Sequence, residues 1–182
     1  MPGVLHVCTA NQCRSAIAER LMRAAVPVDV PVTSAGTRAR AGEPIWPAAA
    51  VELERRGVSS LGFDSHPISA ALVKGADLVL TATRAHRDEV LSEYPFALGR
   101  VFTWRELGWL VGALTPDQLP GRTAAERLRA LPAAAAARRG VLVPPPPAEL
   151  DISDPVGGPD GAVAVAAVEI EQALRPLLRL LT

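Results

Sequence analysis

The stretch from Val4 to Leu21, VLHVCTANQCRSAIAERL, limits what this chain can fold into more than any other. Val4-Leu5-His6-Val7 predicts a short buried strand, and from Ala16 onward Ile17, Ala18, Leu21 and Met22 recur at helical spacing. Between them lies a tight turn that opens with Cys8 and closes with Arg14 and Ser15, five residues separating the Cys from the Arg. A loop of that length feeding a helix can curl so that successive main-chain N–H groups face one concavity, and such a nest suits an anion. Arg14 adds a planar, permanently charged fork that matches two oxygens of a tetrahedral oxyanion. A thiol on the floor of that positive bowl is favoured in its nucleophilic, anionic form, and a sulfur nucleophile under a phosphate-shaped cradle points to covalent phosphoryl transfer. The same residues also fit a plainer arrangement, with Cys8 a small core hydrophobe and Arg14 a solvated first-turn residue.

The remaining composition narrows the surroundings of that loop. With 19 basic and 19 acidic residues in 182, the formal net charge is zero, which offers nothing to a nucleic-acid or anionic-membrane surface. Cys8 and Cys13 are the only cysteines, too few for a disulfide framework or a four-cysteine zinc site. Val4–Val7 is too short for the apolar segment of a secretory leader, and no run approaches a membrane span. The expectation is a cytoplasmic chain, where a nucleophilic thiol stays reduced, with no metal and no cofactor.

Further along, Val28–Thr33 reads as a second strand that exits through Ser34-Ala35-Gly36-Thr37. Trp46 to Arg56 has helical spacing and is terminated by Gly57. Leu78–Leu80 reads as a third strand, Arg84–Leu91 as a polar helix and Val101–Thr103 as a fourth strand. Leu107, Leu110, Val111 and Leu114 suggest another helix, and Thr123 with Glu126 three residues later resembles a capping box opening one that runs through Leu131. Five alanines and the prolines Pro144–Pro147 follow, the prolines favouring an extended segment. Ala162–Leu180 predicts a long amphipathic helix. Strands alternating with helices predict an α/β fold of three layers (αβα), with a small parallel twisted sheet of about four strands. Ligands of such sheets bind beyond the carboxyl ends of the strands, where the Cys8 loop would lie.

The run C-T-A-N-Q-C-R-S-A-I-A-E resembles the phosphate-binding loop of the low-molecular-weight protein tyrosine phosphatases, approximately C-x-G-N-x-C-R-S-P-x-A-E. Cys8, Asn11, Cys13, Arg14, Ser15, Ala18 and Glu19 match; Ala10 replaces Gly and Ala16 replaces Pro. The first replacement matters if that position requires φ > 0. D-L-V-L-T-A-T-R-A-H-R and G-R-V-F-T-W are similar to the family as well. The resemblance implies a phosphomonoester hydrolase, a protein tyrosine phosphatase acting through a cysteinyl-phosphate intermediate. Its substrate would be a phosphorylated protein or a small phosphomonoester.

In that scheme Cys8 is the nucleophile, and Thr9, Ala10, Asn11, Gln12, Cys13, Arg14 and Ser15 bind the phosphate. Asn11, Ser15, Ser34 and His66 support the loop. The family's general acid lies in a D-P motif, which Asp154-Pro155 matches, with Asp151 as the rival carboxylate. The aromatic residue that follows in the family is Val156 here. Arg38 and Arg40 fall in a segment that walls the substrate cleft in relatives. Residues 106–149 exceed what the family uses there and imply an insertion within one domain spanning 1–182, either a lid or partner-binding arm or a surface excursion. Three matters stay open at this level: phosphotyrosine against phosphoarginine, turned by the polar Gln12; catalysis against a degenerate phosphate-binding role; and whether Cys8 and Cys13 pair on oxidation or Cys13 is a packing thiol.

Overall fold

A computed structural model describes residues 3–182. Its sheet has four parallel strands, β1 (Gly3–Cys8), β2 (Val32–Gly36), β3 (Ala76–Thr81) and β4 (Val101–Thr103), in the order β2-β1-β3-β4. β1 is central, so alternate side chains feed opposite faces. Val4 and Cys8 enter one core with Ile17, Met22, Leu78, Leu80 and Phe102, whereas Leu5 and Val7 enter the other with Ala35, Val79, Val90 and Val101. The first core is roofed by α1 (Arg14–Ala25), α5 (Trp104–Val111), α6 (Ala124–Arg138) and α7 (Ala162–Leu181), with α2 (Pro47–Arg55) at its margin. The second is covered by α3 (Ala70–Gly75), α4 (Arg84–Glu93) and the 3-10 turn Pro95–Arg100. This is the predicted αβα layering.

The topology locates the site. The chain leaves β1 for α1 on one face and leaves β3 for α4 on the other, so the carboxyl ends of β1 and β3 flank a crevice between diverging connections. Val101–Thr103 falls where the sequence placed it, and Thr123 and Glu126 form the expected capping box at the start of α6. The five alanines continue α6 rather than following it. Of the four prolines, Pro147 opens a 3-10 turn through Leu150 instead of extending the chain.

The second strand is displaced from its expected place. Residues 28–30 form a turn closed by Val30 N–H donating to the Pro27 carbonyl (3.0 Å), and Val28 is fully exposed. Proline has no N–H for a ladder, so Pro31 marks where pairing can begin. The register then runs Val4 to Val32 through Cys8 to Gly36, making Ser34-Ala35-Gly36 the last rungs of the strand rather than its exit. Glycine is required at the end of it: a Cβ on Gly36 would lie 2.4 Å from the Thr9 carbonyl oxygen and 2.8 Å from the Asn11 nitrogen.

Candidate active site

The loop from Cys8 to Arg14 closes on itself through Asn11. Asn11 is fully buried and stands at φ 57°, the only non-glycine residue with positive φ among those described. Asparagine tolerates this left-handed backbone better than most residues. The reversal therefore falls on Asn11, and Ala10 keeps an ordinary negative φ, so alanine in place of the family's glycine imposes no backbone strain.

A buried chain of hydrogen bonds runs behind this loop, and its polarity is fixed from Glu19 as far as Ser15. The Glu19 carboxylate only accepts, so Ser34 Oγ donates to it (2.5 Å). Ser34 Oγ then accepts from Asn11 Nδ2 (2.7 Å), whose second hydrogen goes to Ser15 Oγ (2.9 Å). Asn11 Oδ1 accepts from the His66 main-chain N–H (2.8 Å), which sets the orientation of the amide. Ser15, having accepted, has one proton to give, to the Ala35 carbonyl at 3.4 Å or to the Cys8 sulfur 3.0 Å away, and a thiolate at Cys8, which can only accept, takes it. A chain anchored on an anion thus ends in a hydroxyl that can stabilise a thiolate. Glu19 is 6% exposed and is itself met by Arg23 at 3.1 Å.

The rim carries the charge. Arg14 is 5% exposed and its Nη2 lies 3.0 Å from Asp154 Oδ2, while Asp154 Oδ1 accepts the Val156 N–H at 3.1 Å. Among the described residues, none of the main-chain N–H groups of Thr9 to Cys13 donates to a backbone carbonyl. They leave a set of donors at the start of α1, whose first turn contains no acidic residue. Cys8, Thr9, Ala10, Gln12, Cys13, Arg14, Trp46, Asp154 and Val156 line one cavity of about 420 Å³. It is large enough for a phosphoryl group with part of its carrier. Burial pushes the Cys13 thiol up to about 12, with Cys8 as the next contributor, so Cys13 is a neutral wall of this cavity.

The two carboxylates separate clearly. Asp154 faces the cavity, whereas Asp151 accepts the Arg84 main-chain N–H at 2.7 Å and pairs with its guanidinium at 3.0 Å. His66 meets the loop through its main chain. Its imidazole is exposed and makes no hydrogen bond among the described residues; the support comes from its main chain, the N–H to Asn11 and the carbonyl to Gly36 N–H (2.9 Å). Any residue at position 66 other than proline could provide this, which is why no side-chain logic could identify it. Arg38 is an exposed partner of Glu89 at 3.9 Å, and neither it nor Arg40 lines the cavity.

Three participants escaped the sequence reading. Glu19 was visible as a motif match but not as the anchor of the hydrogen-bond chain. Trp46 is the N-cap of α2, makes no side-chain capping bond, and instead presents an aromatic wall to the cavity while its N–H donates to the Gln12 carbonyl (2.8 Å). The third is His86, 8% exposed, with Nε2 2.8 Å from Thr9 Oγ1 and Nδ1 2.7 Å from Thr83 Oγ1. Burial, with Arg14 nearby as a lesser cause, lowers its pKa and keeps the ring neutral near pH 7.

Comparison with known proteins agrees with this geometry. Residues 3–109, more than half of the chain, match the family model described as low molecular weight phosphotyrosine protein phosphatase. The chain is 35% identical over 104 residues to the probable low molecular weight protein-tyrosine-phosphatase EpsP of Ralstonia nicotianae, covering 57% of this chain and 71% of that one. It is 33% identical over 106 residues to a protein-arginine-phosphatase of Bacillus subtilis, covering 57% and 70%. In fold it superposes on the YwlE arginine phosphatase from Geobacillus stearothermophilus with a TM-score of 0.71 at 24% identity, over 98% of this chain and 91% of that one. The chain belongs to the low molecular weight phosphotyrosine protein phosphatase family.

Proposed function

We propose that this chain hydrolyses phosphomonoesters, phosphotyrosine first among them, through a phosphocysteine at Cys8. One observation carries the reading. The Cys8 sulfur, the buried Arg14 guanidinium and the Asp154 carboxylate share one cavity, on a loop whose N–H groups have no backbone acceptor among the described residues. The phosphoryl oxygens bind to the amides of Thr9 to Cys13 and to Arg14, displacing Asp154 from the guanidinium. Cys8 attacks in line, forming the S–P bond as the P–O bond to the leaving group breaks, and Asp154 gives its proton to that oxygen. Water then forms a new P–O bond as P–S breaks, Asp154 takes the water's proton, and inorganic phosphate leaves. Arg14 and the amides stabilise the charge spread over the equatorial oxygens in both steps.

Trp46 supports an aryl carrier, since its ring supplies a flat apolar wall beside the phosphate site. Phosphoarginine is the second reading, favoured by the polar Gln12 on the same wall and by the arginine phosphatase among the relatives; a guanidinium also stacks on an aromatic face. No helix among the described residues is long and apolar enough to cross a membrane. A reducing, cytoplasmic setting suits two unpaired thiols. Residues 106–149 are read as an insertion within a single domain, since Leu128 and Leu131 of α6 are buried in the same core as α1.

Turnover of p-nitrophenyl phosphate by the wild type, Cys8→Ser and Asp154→Ala tests the catalytic reading. Activity in the wild type, none in Cys8→Ser and a loss of about 100-fold or more in Asp154→Ala are expected. An inactive wild type under reducing conditions overturns it. Competing phosphotyrosine and phosphoarginine peptides decide the carrier.

A further inference from the structure

Resting on that reading, the structure assigns a positioning role to the amino end of α4, which braces the Asp154 loop against the Cys8 loop. Residues 82–86 touch both sides of the cleft. On the nucleophile side, Ala82 N–H donates to the Val7 carbonyl (2.9 Å), and His86 Nε2 is hydrogen-bonded to Thr9 Oγ1, next to Cys8 (2.8 Å). Thr83 Oγ1 locks that imidazole from the other side at Nδ1 (2.7 Å) while accepting the His86 N–H (3.3 Å), so one hydroxyl both caps the helix and orients the ring. On the acid side, the Ala82 carbonyl accepts Ile152 N–H (2.9 Å). Asp151 Oδ1 accepts the Arg84 N–H (2.7 Å), and Oδ2 holds Arg84 Nη2 (3.0 Å).

These contacts fasten residues 151 and 152 to the same five-residue segment that holds Thr9. Asp154 lies two residues beyond the second fastening and is itself exposed; its carboxylate is held by the Val156 N–H of its own loop and by the Arg14 guanidinium that a phosphoryl group takes over, so the fastenings of the loop set its height above the sulfur. Ser153 adds a third restraint through Glu169, which accepts its N–H (2.8 Å) and its hydroxyl (3.1 Å). Proton transfer to a leaving oxygen tolerates little misplacement. Asp151 and His86 therefore act through Asp154 and Thr9, and neither meets the substrate.

Leaving-group dependence separates such a role from general damage. The ratio of kcat/KM for p-nitrophenyl phosphate to that for phenyl phosphate reports reliance on the acid, because the nitrophenolate departs with less help. Asp151→Ala is expected to raise this ratio at least tenfold, while the rate of Cys8 alkylation by iodoacetate and inhibition by inorganic phosphate stay within threefold of the wild type. Asp151→Asn keeps an acceptor for the Arg84 N–H and is expected to restore most of the ratio. Arg84→Gln, a partly exposed site with little bearing on folding, should raise the ratio by a smaller factor. His86→Ala should raise the ratio and also weaken phosphate inhibition, because its end of the brace is the phosphate loop. In an Asp154→Ala background, Asp151→Ala should change the ratio no further. An unchanged ratio in Asp151→Ala, equal loss on both substrates with phosphate binding also lost, or a full additional effect without Asp154 overturns the assignment. If the wild type itself turns over neither ester, the catalytic reading fails first; if it turns over both and the ratio ignores Asp151, the brace alone fails.

Discussion

Asn11 is the residue whose loss the structure predicts to be most costly for its size. Asn11→Ala removes the two bonds donated to Ser15 and Ser34 and the one accepted from His66 N–H, all within a site that excludes water. At about 1 kcal/mol net per hydrogen bond, these contribute about 3 kcal/mol. Forcing alanine to hold φ 57° adds about 1 kcal/mol. The sum, about 4 kcal/mol, is a large share of the 5–15 kcal/mol typical of a folded domain. For 182 residues it corresponds to a fall in Tm of about 8–16 °C. Ser34→Ala breaks two of the chain's links and should cost about 2 kcal/mol. Because Asn11 and Ser34 share a bond, the double variant should be less destabilised than the sum of the singles by about 1 kcal/mol. Urea unfolding followed by circular dichroism measures all three. An Asn11→Ala protein within about 1 kcal/mol of the wild type, or strictly additive losses, would refute the reading of the network as a connected chain.

Other expectations concern groups that burial holds neutral. His6 is wholly buried in β1, and burial lowers its pKa to about 3; Trp104 Nε1–H donates to its Nδ1 (2.8 Å), so a second proton would break that bond. The unfolded chain takes up this proton near pH 6.5 and the folded one does not, so stability is full above that value and falls with pH down to about 3. The slope should approach about 1.4 kcal/mol per pH unit, with His86 acting in the same sense, and urea midpoints at pH 7 and pH 5 will show it; a midpoint indifferent to pH over that range contradicts it. Cys13, pushed from 9.0 to about 12, carries a thiolate fraction at neutral pH about a thousandfold below that of an ordinary cysteine. Iodoacetamide should therefore mark Cys8 in the native protein and Cys13 only after unfolding, as read by peptide mass spectrometry; comparable native labelling of both would count against it. Glu19→Ala removes both the buried acceptor of Ser34 and the partner of Arg23, so it should cost about 2 kcal/mol, read as a fall in Tm of about 4–8 °C in a melting curve; an unchanged Tm would count against Glu19 as the anchor.

How far the sequence alone reached follows from what each feature depends on. The strand–loop–helix from Gly3 to Ala25 was legible because strand, turn and helix signals lie side by side and local chemistry decides them. Cys8, Arg14, Asn11 and Ser15 could be named together because one motif specifies them, Ser34 only through the family resemblance, and Asp154 could be preferred to Asp151 on its D-P neighbour. The start of β2 was misplaced because β-branched composition at Val28–Val30 outweighed the two prolines around it, and only pairing with β1 reveals which residues a ladder accepts. His66 could be named but not the atom through which it acts, because a motif specifies a residue and the bond runs from its main-chain N–H. His86, the anchoring role of Glu19 and the Arg84–Asp151 pair were illegible for a different reason: their partners lie 77, 15 and 67 residues away, and only the packing of the sheet brings them together, with β2 and β3 paired on either side of β1.

The reading as a whole turns on sulfur attacking phosphorus, and that bond can be trapped. The Asp154→Ala protein mixed with p-nitrophenyl phosphate and quenched rapidly in denaturant at alkaline pH should carry one phosphoryl group on the peptide containing Cys8, stable in mild base, released by iodine and absent from Cys8→Ser. Steady hydrolysis without any phosphoryl mass on Cys8, or the same mass on another residue of the loop, would contradict it.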